Sequence, residues 1–186
     1  MVDYPPITYV PDFVSDPFDA FHLLRDGLDW ERRSDAPRCE YYCNDFPRPY
    51  IYGKGNGRRT YEPRPASPAI LKIRHALEAH AGCSFEVCFL NMYLNQRDHL
   101  GWHADDSPEM DDGRPIASVS LGVERQIWFR RTGTRGDVAT KLLLQNGSLC
   151  LMAPGMQDEW QHRIPKAGFE CGARISLTFR GYFARE

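Results

Sequence analysis

Apolar and polar positions along the chain change their period once, near residue 84. Before that point the spacing is helical. Asp16-Pro17 reads as an N-cap followed by proline at the first helical position, and Phe18, Phe21, Leu24 and Leu28 follow on one stripe, so a short amphipathic helix is predicted over 17–27. A second helix starts at the cap Ser67 with Pro68 behind it. It buries Ile70, Ile73 and Leu77 and stops at Gly82. From residue 84 the period is two. Phe85, Val87, Phe89, Asn91 and Tyr93 fall on one face of a predicted strand. Further strands are predicted at 116–122, 126–131, 141–145, 148–153, 160–164 and 173–183, separated by Gly133, Gly136, Asn146-Gly147 and Pro154-Gly155. Many short strands with regular turns, preceded by two helices, predict an α+β fold: a double-stranded β-helix (jelly-roll) core with two supporting N-terminal helices.

Two stretches lack a clear period. Residues 1–15 read as an irregular, proline-rich lead-in. Residues 31–66 read as a long loop or a pair of short strands with turns, too rich in proline for a central sheet strand and carrying a flexible Gly-rich tip, GKGNG. Such a loop, aromatic and basic beside a compact core, suits substrate recognition. The chain is therefore expected to be one domain, 1–186, with helices and recognition loops in 1–84 and the jelly-roll core in 85–186.

Composition narrows the partners. The net charge of −2 and pI near 6.3 argue against a surface that grips a duplex mainly by charge. The arginines are nonetheless clustered, at 58, 59 and 64 and again at 125, 130, 131 and 135. Among the cysteines (39, 43, 83, 88, 150, 171) only Cys39 and Cys43 are close, and no second metal-binding half accompanies them, so reduced thiols without zinc are expected. There is no apolar run of bilayer length and no leader pattern, so the expected place is the cytoplasm, or the nucleus in a eukaryote, without secretion or membrane attachment.

The chemistry centres on His103-Ala104-Asp105. On an extended strand these two side chains share a face, and an imidazole plus a carboxylate are two of the three ligands of the facial triad that holds Fe(II). His162, in the predicted strand WQHRIP, can supply the third from an opposing strand. On the last strand Arg174, Ser176, Thr178 and Arg180 share an inward face. A buried guanidinium must either pair with an internal acid or meet an anionic ligand, and arginine suits bidentate carboxylate binding. With Asn91 and Tyr93 as neutral donors, these residues describe a cavity for Fe(II) and a dicarboxylate, as 2-oxoglutarate-dependent oxygenation requires.

In order and spacing, N-x-Y, G-W-H-x-D-D, P-I-A-S-V-S-L-G, W-Q-H-R-I-P and R-x-S-L-T-F-R resemble the AlkB family of nucleic-acid dealkylating dioxygenases. The resemblance covers about residues 85–181, with a looser match over PRPYIYG and RRTYE and none over 1–45. It implies His103, Asp105 and His162 as catalytic ligands of Fe(II), with O2 as oxidant. It implies Asn91, Tyr93, Arg174, Thr178 and Arg180 on 2-oxoglutarate, with Arg174 at the distal carboxylate. It implies substrate contacts from Asp106, whose carboxylate would favour a cationic methylated base, and from Arg59, Thr60 and Tyr61. Tyr61 would stack on the base opposite the His103 ring, a part that Tyr50 or Tyr52 could also take. The implied reaction is oxidative demethylation of 1-methyladenine and 3-methylcytosine, releasing formaldehyde and succinate, on alkylated single-stranded or locally melted DNA, with RNA not separated from it, by a monomer. The alternative is a 2-oxoglutarate-dependent hydroxylase or demethylase of a protein or small molecule, which would leave Asp106 and the Tyr/Arg loop without employment. A non-catalytic jelly-roll binding module would be expected to have lost a triad or arginine position, and all are present.

Overall fold

A computed structural model describes residues 4–34, 36–52, 58–136 and 138–183. The Gly-rich tip at 53–57 lies outside the described residues. Two antiparallel sheets face each other. The major sheet contains β1 (Ile7–Val10), β2 (Cys39–Asn44), β5 (Val87–Tyr93), β7 (Ile116–Gly122), β10 (Leu149–Met152) and β12 (Arg174–Arg180), in the spatial order β1-β10-β7-β12-β5-β2. The minor sheet contains β6 (Leu100–His103), β8 (Arg125–Arg131), β9 (Thr140–Leu144) and β11 (Trp160–Ile164), in the order β6-β11-β8-β9. A hairpin of β3 (Tyr50–Tyr52) and β4 (Arg59–Tyr61) stands at the open end. The helices are α1 (Pro17–Gly27), α2 (Pro68–Ala81) and the single turn α3 (Met156–Glu159). This is the jelly-roll architecture with two supporting helices.

Both long helices begin where their caps dictate, and α2 also ends at one. The Asp16 carboxylate accepts from the Asp19 amide, and the Ser67 hydroxyl accepts from the Ile70 amide. Gly82 closes α2 in the left-handed region at φ 70°, donating its amide to the Glu78 carbonyl. The helices cover the outer face of the major sheet, where Ile70, Ile73 and Leu77 meet Leu90, Leu177 and Phe179. Gly122 sits where α1 approaches β7. A Cβ there would lie 2.5 Å from the Ala173 carbonyl oxygen and 2.7 Å from the Phe21 ring, so only glycine fits, and its φ of 88° demands glycine as well.

Several details differ from the expected pattern. Phe18 is 71% exposed, because α1 is narrow in its buried contact and only Phe21 and Leu24 reach the sheet. Phe85 packs with the helices, among Cys88, Leu90 and Met92, because the chain enters the strand only at Val87 and its side chain is not yet in the period-two row. The lead-in contains β1, which pairs with β10 from Ile7 opposite Met152 to Val10 opposite Leu149. Its prolines, Pro5 and Pro6, precede the strand rather than interrupt it. The long loop contains the hairpin pair and, beyond it, β2, whose proline-free CEYYCN is an edge strand paired with β5. The last strand ends at Arg180 rather than continuing to 183.

The inner face of the major sheet forms the floor of the site. Tyr93, Asn91 and Phe89 of β5 lie opposite Arg174, Ser176 and Thr178 of β12, which in turn lie opposite Gly122, Ser120 and Ser118 of β7.

Candidate active site

Cross-strand register brings the first two imidazoles together. His162 of β11 is the direct partner of His103 of β6, and their ring centroids are 4.3 Å apart. Asp105 follows two residues after His103. Its carboxylate oxygens lie 3.6 Å from His103 Nε2 and 3.8 Å from His162 Nε2. One ligand atom from each of the three residues falls within 4.8 Å of the others. His103 Nδ1 is 2.9 Å from the Gly101 carbonyl. A carbonyl can only accept, so the proton sits on Nδ1 and the lone pair on Nε2, toward the cluster. Burial pushes both histidines below their ordinary range, His162 down to about 3, so both rings are neutral at physiological pH. Burial works against ionisation of Asp105, but the Arg180 guanidinium and then the two imidazoles hold it below the usual carboxylate value. Two neutral imidazoles and one carboxylate are the protonation states that a divalent cation requires of its ligands.

The two arginines of β12 are both buried and have different surroundings. Arg180 donates to Asp105 Oδ1 at 2.6 Å and to the Tyr50 hydroxyl at 3.5 Å. Arg174 is fully buried and, among the described residues, meets no acid. It donates to the Ser120 hydroxyl at 2.8 Å and lies 5.3 Å from the Tyr93 ring centroid. Its Nε and one terminal nitrogen have no partner, and burial pushes it down to about 10. A guanidinium left in that condition is strongly destabilising unless an anion completes it. The side chain is therefore well suited to a ligand carboxylate, and a dicarboxylate that also reaches the His–Asp–His cluster fits the donor set.

Asn91, Tyr93 and Thr178 line the cavity with Arg180 and the triad. Apolar walls come from Leu100, Ile127, Met152 and Ile164. The tyrosines form the rim. Tyr61 is buried: its hydroxyl donates to Glu40 at 2.8 Å, Arg33 lies 4.4 Å over the ring, and Tyr50 and Phe89 pack against it. Tyr50 is buried too, with its hydroxyl 2.8 Å from Ser107 Oγ. Tyr52 also lines the cavity and is only partly covered. Arg59 approaches Glu40 at 3.9 Å, and Thr60 is exposed while its carbonyl accepts from Arg33. Asp106 is exposed and opens on a neighbouring cleft of about 290 Å³, which meets the cavity at Asp105 and Arg180. The structure thus gathers the predicted metal ligands with Asn91, Tyr93, Thr178, Arg180 and Tyr61 around one cavity, buries Arg174 behind Tyr93 outside its lining, and leaves Arg59, Thr60 and Asp106 farther out.

One part of the cavity wall was not legible. Arg38 donates through Nε to Asn91 Oδ1 at 2.6 Å and pairs with Glu40 at 2.7 Å, and Glu40 in turn accepts from Tyr61. A buried Arg–Glu pair thereby joins the Asn91 side of the cavity to the hairpin. The sequence signal was the period-two run from Arg38 through CEYYCN, hidden by the prolines that follow it.

Comparison with known proteins agrees with this geometry. The family profile described as "2OG-Fe(II) oxygenase superfamily" matches residues 26–180. The chain is 35% identical over 165 residues to the mouse protein named DNA oxidative demethylase ALKBH2, covering 76% of this chain and 69% of that one. It is 32% identical over 176 residues to bovine alpha-ketoglutarate-dependent dioxygenase alkB homolog 3, covering 86% and 59%. This chain belongs to the AlkB family of 2OG-Fe(II) oxygenases. A solved structure titled "The structure of OsALKBH1" superimposes with a TM-score of 0.68 at 16% identity, covering 98% of this chain and 99% of that one, and so shares the AlkB fold. The chain spans between half and two thirds of the human AlkB homolog 3 and ALKBH2 relatives it matches, at 55% and 63% of their lengths. The family implies Fe(II), 2-oxoglutarate and O2, and the neutral His pair, ionised Asp105 and acid-free Arg174 suit the first two. No described helix is long and apolar enough to cross a membrane.

Proposed function

We propose that the chain is a single catalytic domain, an Fe(II)- and 2-oxoglutarate-dependent dioxygenase that demethylates 1-methyladenine and 3-methylcytosine in single-stranded or locally melted DNA, and in RNA by the same chemistry. It works as a monomer in the cytoplasm or nucleus. The observation that carries the reading is the buried His103–Asp105–His162 cluster on the minor sheet together with Arg174 on the major sheet, a buried arginine that meets no acid among the described residues.

His103, Asp105 and His162 hold the iron, which when bound with 2-oxoglutarate and O2 supplies the oxidant for the methyl carbon. The protein's own residues bind and orient. Gly101 fixes the His103 tautomer, and Arg180 fixes one Asp105 oxygen while the other faces His162. Arg174 receives the distal carboxylate of 2-oxoglutarate, with Asn91, Tyr93 and Thr178 along its length. The apolar walls exclude water from the oxidising centre. An extruded base enters past the tyrosine rim, where the partly covered Tyr52 stacks on it more readily than Tyr61, whose ring is already packed. Asp106, with Arg59 and Thr60 across the rim, meets the cationic base and its phosphates. Once the methyl carbon carries a hydroxyl, that hydroxyl gives its proton to solvent as the N–C bond breaks, its electron pair passing to the ring, so that formaldehyde and the restored neutral base are released.

The test is mass spectrometry of a short single strand with one 1-methyladenine, loaded anaerobically with Fe(II) and 2-oxoglutarate and then exposed to O2. Loss of one methyl group with matching succinate is expected, and neither with Asp105→Ala. Succinate without base repair would move the substrate to another class.

A further inference from the structure

The outer face of the minor sheet, which plays no part in the cavity, carries a cross-strand row of alternating cations and indoles. Lys141 of β9 pairs in register with Trp128 of β8, and Trp128 with Arg163 of β11. Lys141 Nζ is 4.4 Å from the Trp128 ring centroid and Arg163 is 4.3 Å from the same ring. Arg163 also lies 4.8 Å from the ring of Trp102 on β6, which Arg130 approaches at 4.4 Å. We propose that this row is a track for the phosphodiester backbone of a single-stranded nucleic acid, separate from the pocket that takes the modified base.

Charge argues for an anionic occupant. Among the described residues no carboxylate is within ion-pair distance of Lys141, Arg163 or Arg130, although the chain as a whole is net negative. Arg130 spends two nitrogens on a neutral partner, the Gln161 amide oxygen. Arg163 has no hydrogen-bond partner at Nε, and burial together with the neighbouring Arg130 pushes it below its ordinary value. Three cations side by side without acids cost free energy, and stacking on indoles offsets part of it while immobilising the guanidinium planes. A stacked guanidinium still offers its N–H edge, the geometry that grips phosphate.

Topology argues for a strand that continues from the active site. β6 is the edge of the minor sheet, with His103 turned into the cavity and its neighbour Trp102 turned out. A chain leaving the mouth over that edge arrives on Trp102 and then meets Arg163, Trp128 and Lys141 in turn, across about 14 Å of sheet. An alternation of cation and aromatic surface matches a polymer that alternates phosphate and base.

The inference rests on the proposed nucleic-acid substrate, so the test separates the two. Lys141→Gln and Arg163→Gln, singly and together, are compared with wild type in binding a labelled unmodified 16-mer single strand across a salt series. The same proteins are assayed for demethylation of a 1-methyladenine trinucleotide and a 1-methyladenine 16-mer. Weaker 16-mer binding is expected, with the salt slope reduced by about 0.7 per cation removed. The Michaelis constant should rise several-fold for the 16-mer only, with trinucleotide turnover and melting temperature unchanged. Arg163→Lys should recover most of the affinity. Unchanged affinity and slope in the double variant, with demethylation intact, would overturn the track and leave the proposed function standing. Absence of demethylation on either substrate, with binding still lost in the variants, would overturn that function and support the track. Equal loss on the trinucleotide would mean that the row merely supports the sheet and would overturn the track. Displacement of the 16-mer by polyglutamate at equal charge would make the surface a dock for acidic protein and likewise overturn it.

Discussion

The two ends of β12 carry the same side chain on the same face at the same depth, and they do opposite things. At the metal end Arg180 is neutralised within the protein by Asp105 at 2.6 Å. At the other end Arg174 meets the Ser120 hydroxyl and Tyr93 and, among the described residues, no acid. A charge whose partner belongs to the fold contributes to the fold. A charge without one is held in place by the rest of the structure and is available to a ligand. The strand's period identifies both arginines as inward-facing, but it cannot say which of them the protein has already satisfied.

Removing each guanidinium separates the two roles. Arg180→Met leaves the buried Asp105 carboxyl without its cationic partner, so chelator-treated protein should lose about 3–5 kcal/mol in urea unfolding. A change below about 1 kcal/mol would show that Asp105 is sufficiently held by the histidines alone. Arg174→Met should have the reverse profile. Stability in the absence of ligand is unchanged or higher, while 2-oxoglutarate affinity, read by calorimetry, falls by roughly 2–5 kcal/mol. Loss of stability with unchanged co-substrate affinity would make Arg174 a structural residue. A smaller effect comes from Glu86, which accepts from Ser84, Arg114 and the Tyr182 amide. Burial raises its pKa, but Arg114 and the other donors outweigh it and leave the carboxyl below its ordinary 4.5. Its contribution is therefore full above about pH 4.5 and lost as pH falls through the depressed native value. Glu86→Gln should melt lower than wild type at pH 7 and converge with it in more acidic buffer, and a gap independent of pH would contradict the ionic origin. Smallest is Tyr61→Phe, which deletes one hydrogen bond to Glu40 and should cost about 1 kcal/mol without altering co-substrate binding.

What could be read in advance was local. Caps at Asp16, Ser67 and Gly82 are written within a few residues of the helices they bound, and the period of two from residue 87 follows from the pleat itself. The triad was legible because His103 and Asp105 are two apart and His162 sits in a well-marked strand. The features that escaped are those decided by distant chain. β1 is a strand because β10 offers it an edge, and β2 because β5 does. Arg180 finds Asp105 at a separation of 75 positions, and Arg38 finds Asn91 at a separation of 53, with no nearby pattern to announce either. The arginine run from 125 to 135 read as one cluster and is divided by the pleat. Arg125 turns inward onto the carbonyls of Asn95, Asp98 and Pro165, Arg130 joins the outer row, and Arg131 pairs with Glu159.

The four-residue strand β1 also has a consequence for handling the protein. It covers the outer hydrogen-bonding edge of β10, whose segment Leu149–Met152 reads LCLM and contains no charge. A short flank preceded by two prolines is a poor template for further pairing, whereas the bare edge of β10 would be a good one. Trimming the first ten residues as a dispensable tail would therefore convert a capped sheet into one able to recruit other copies edge to edge, and the damage would appear as aggregation on expression before any loss of catalysis could be measured.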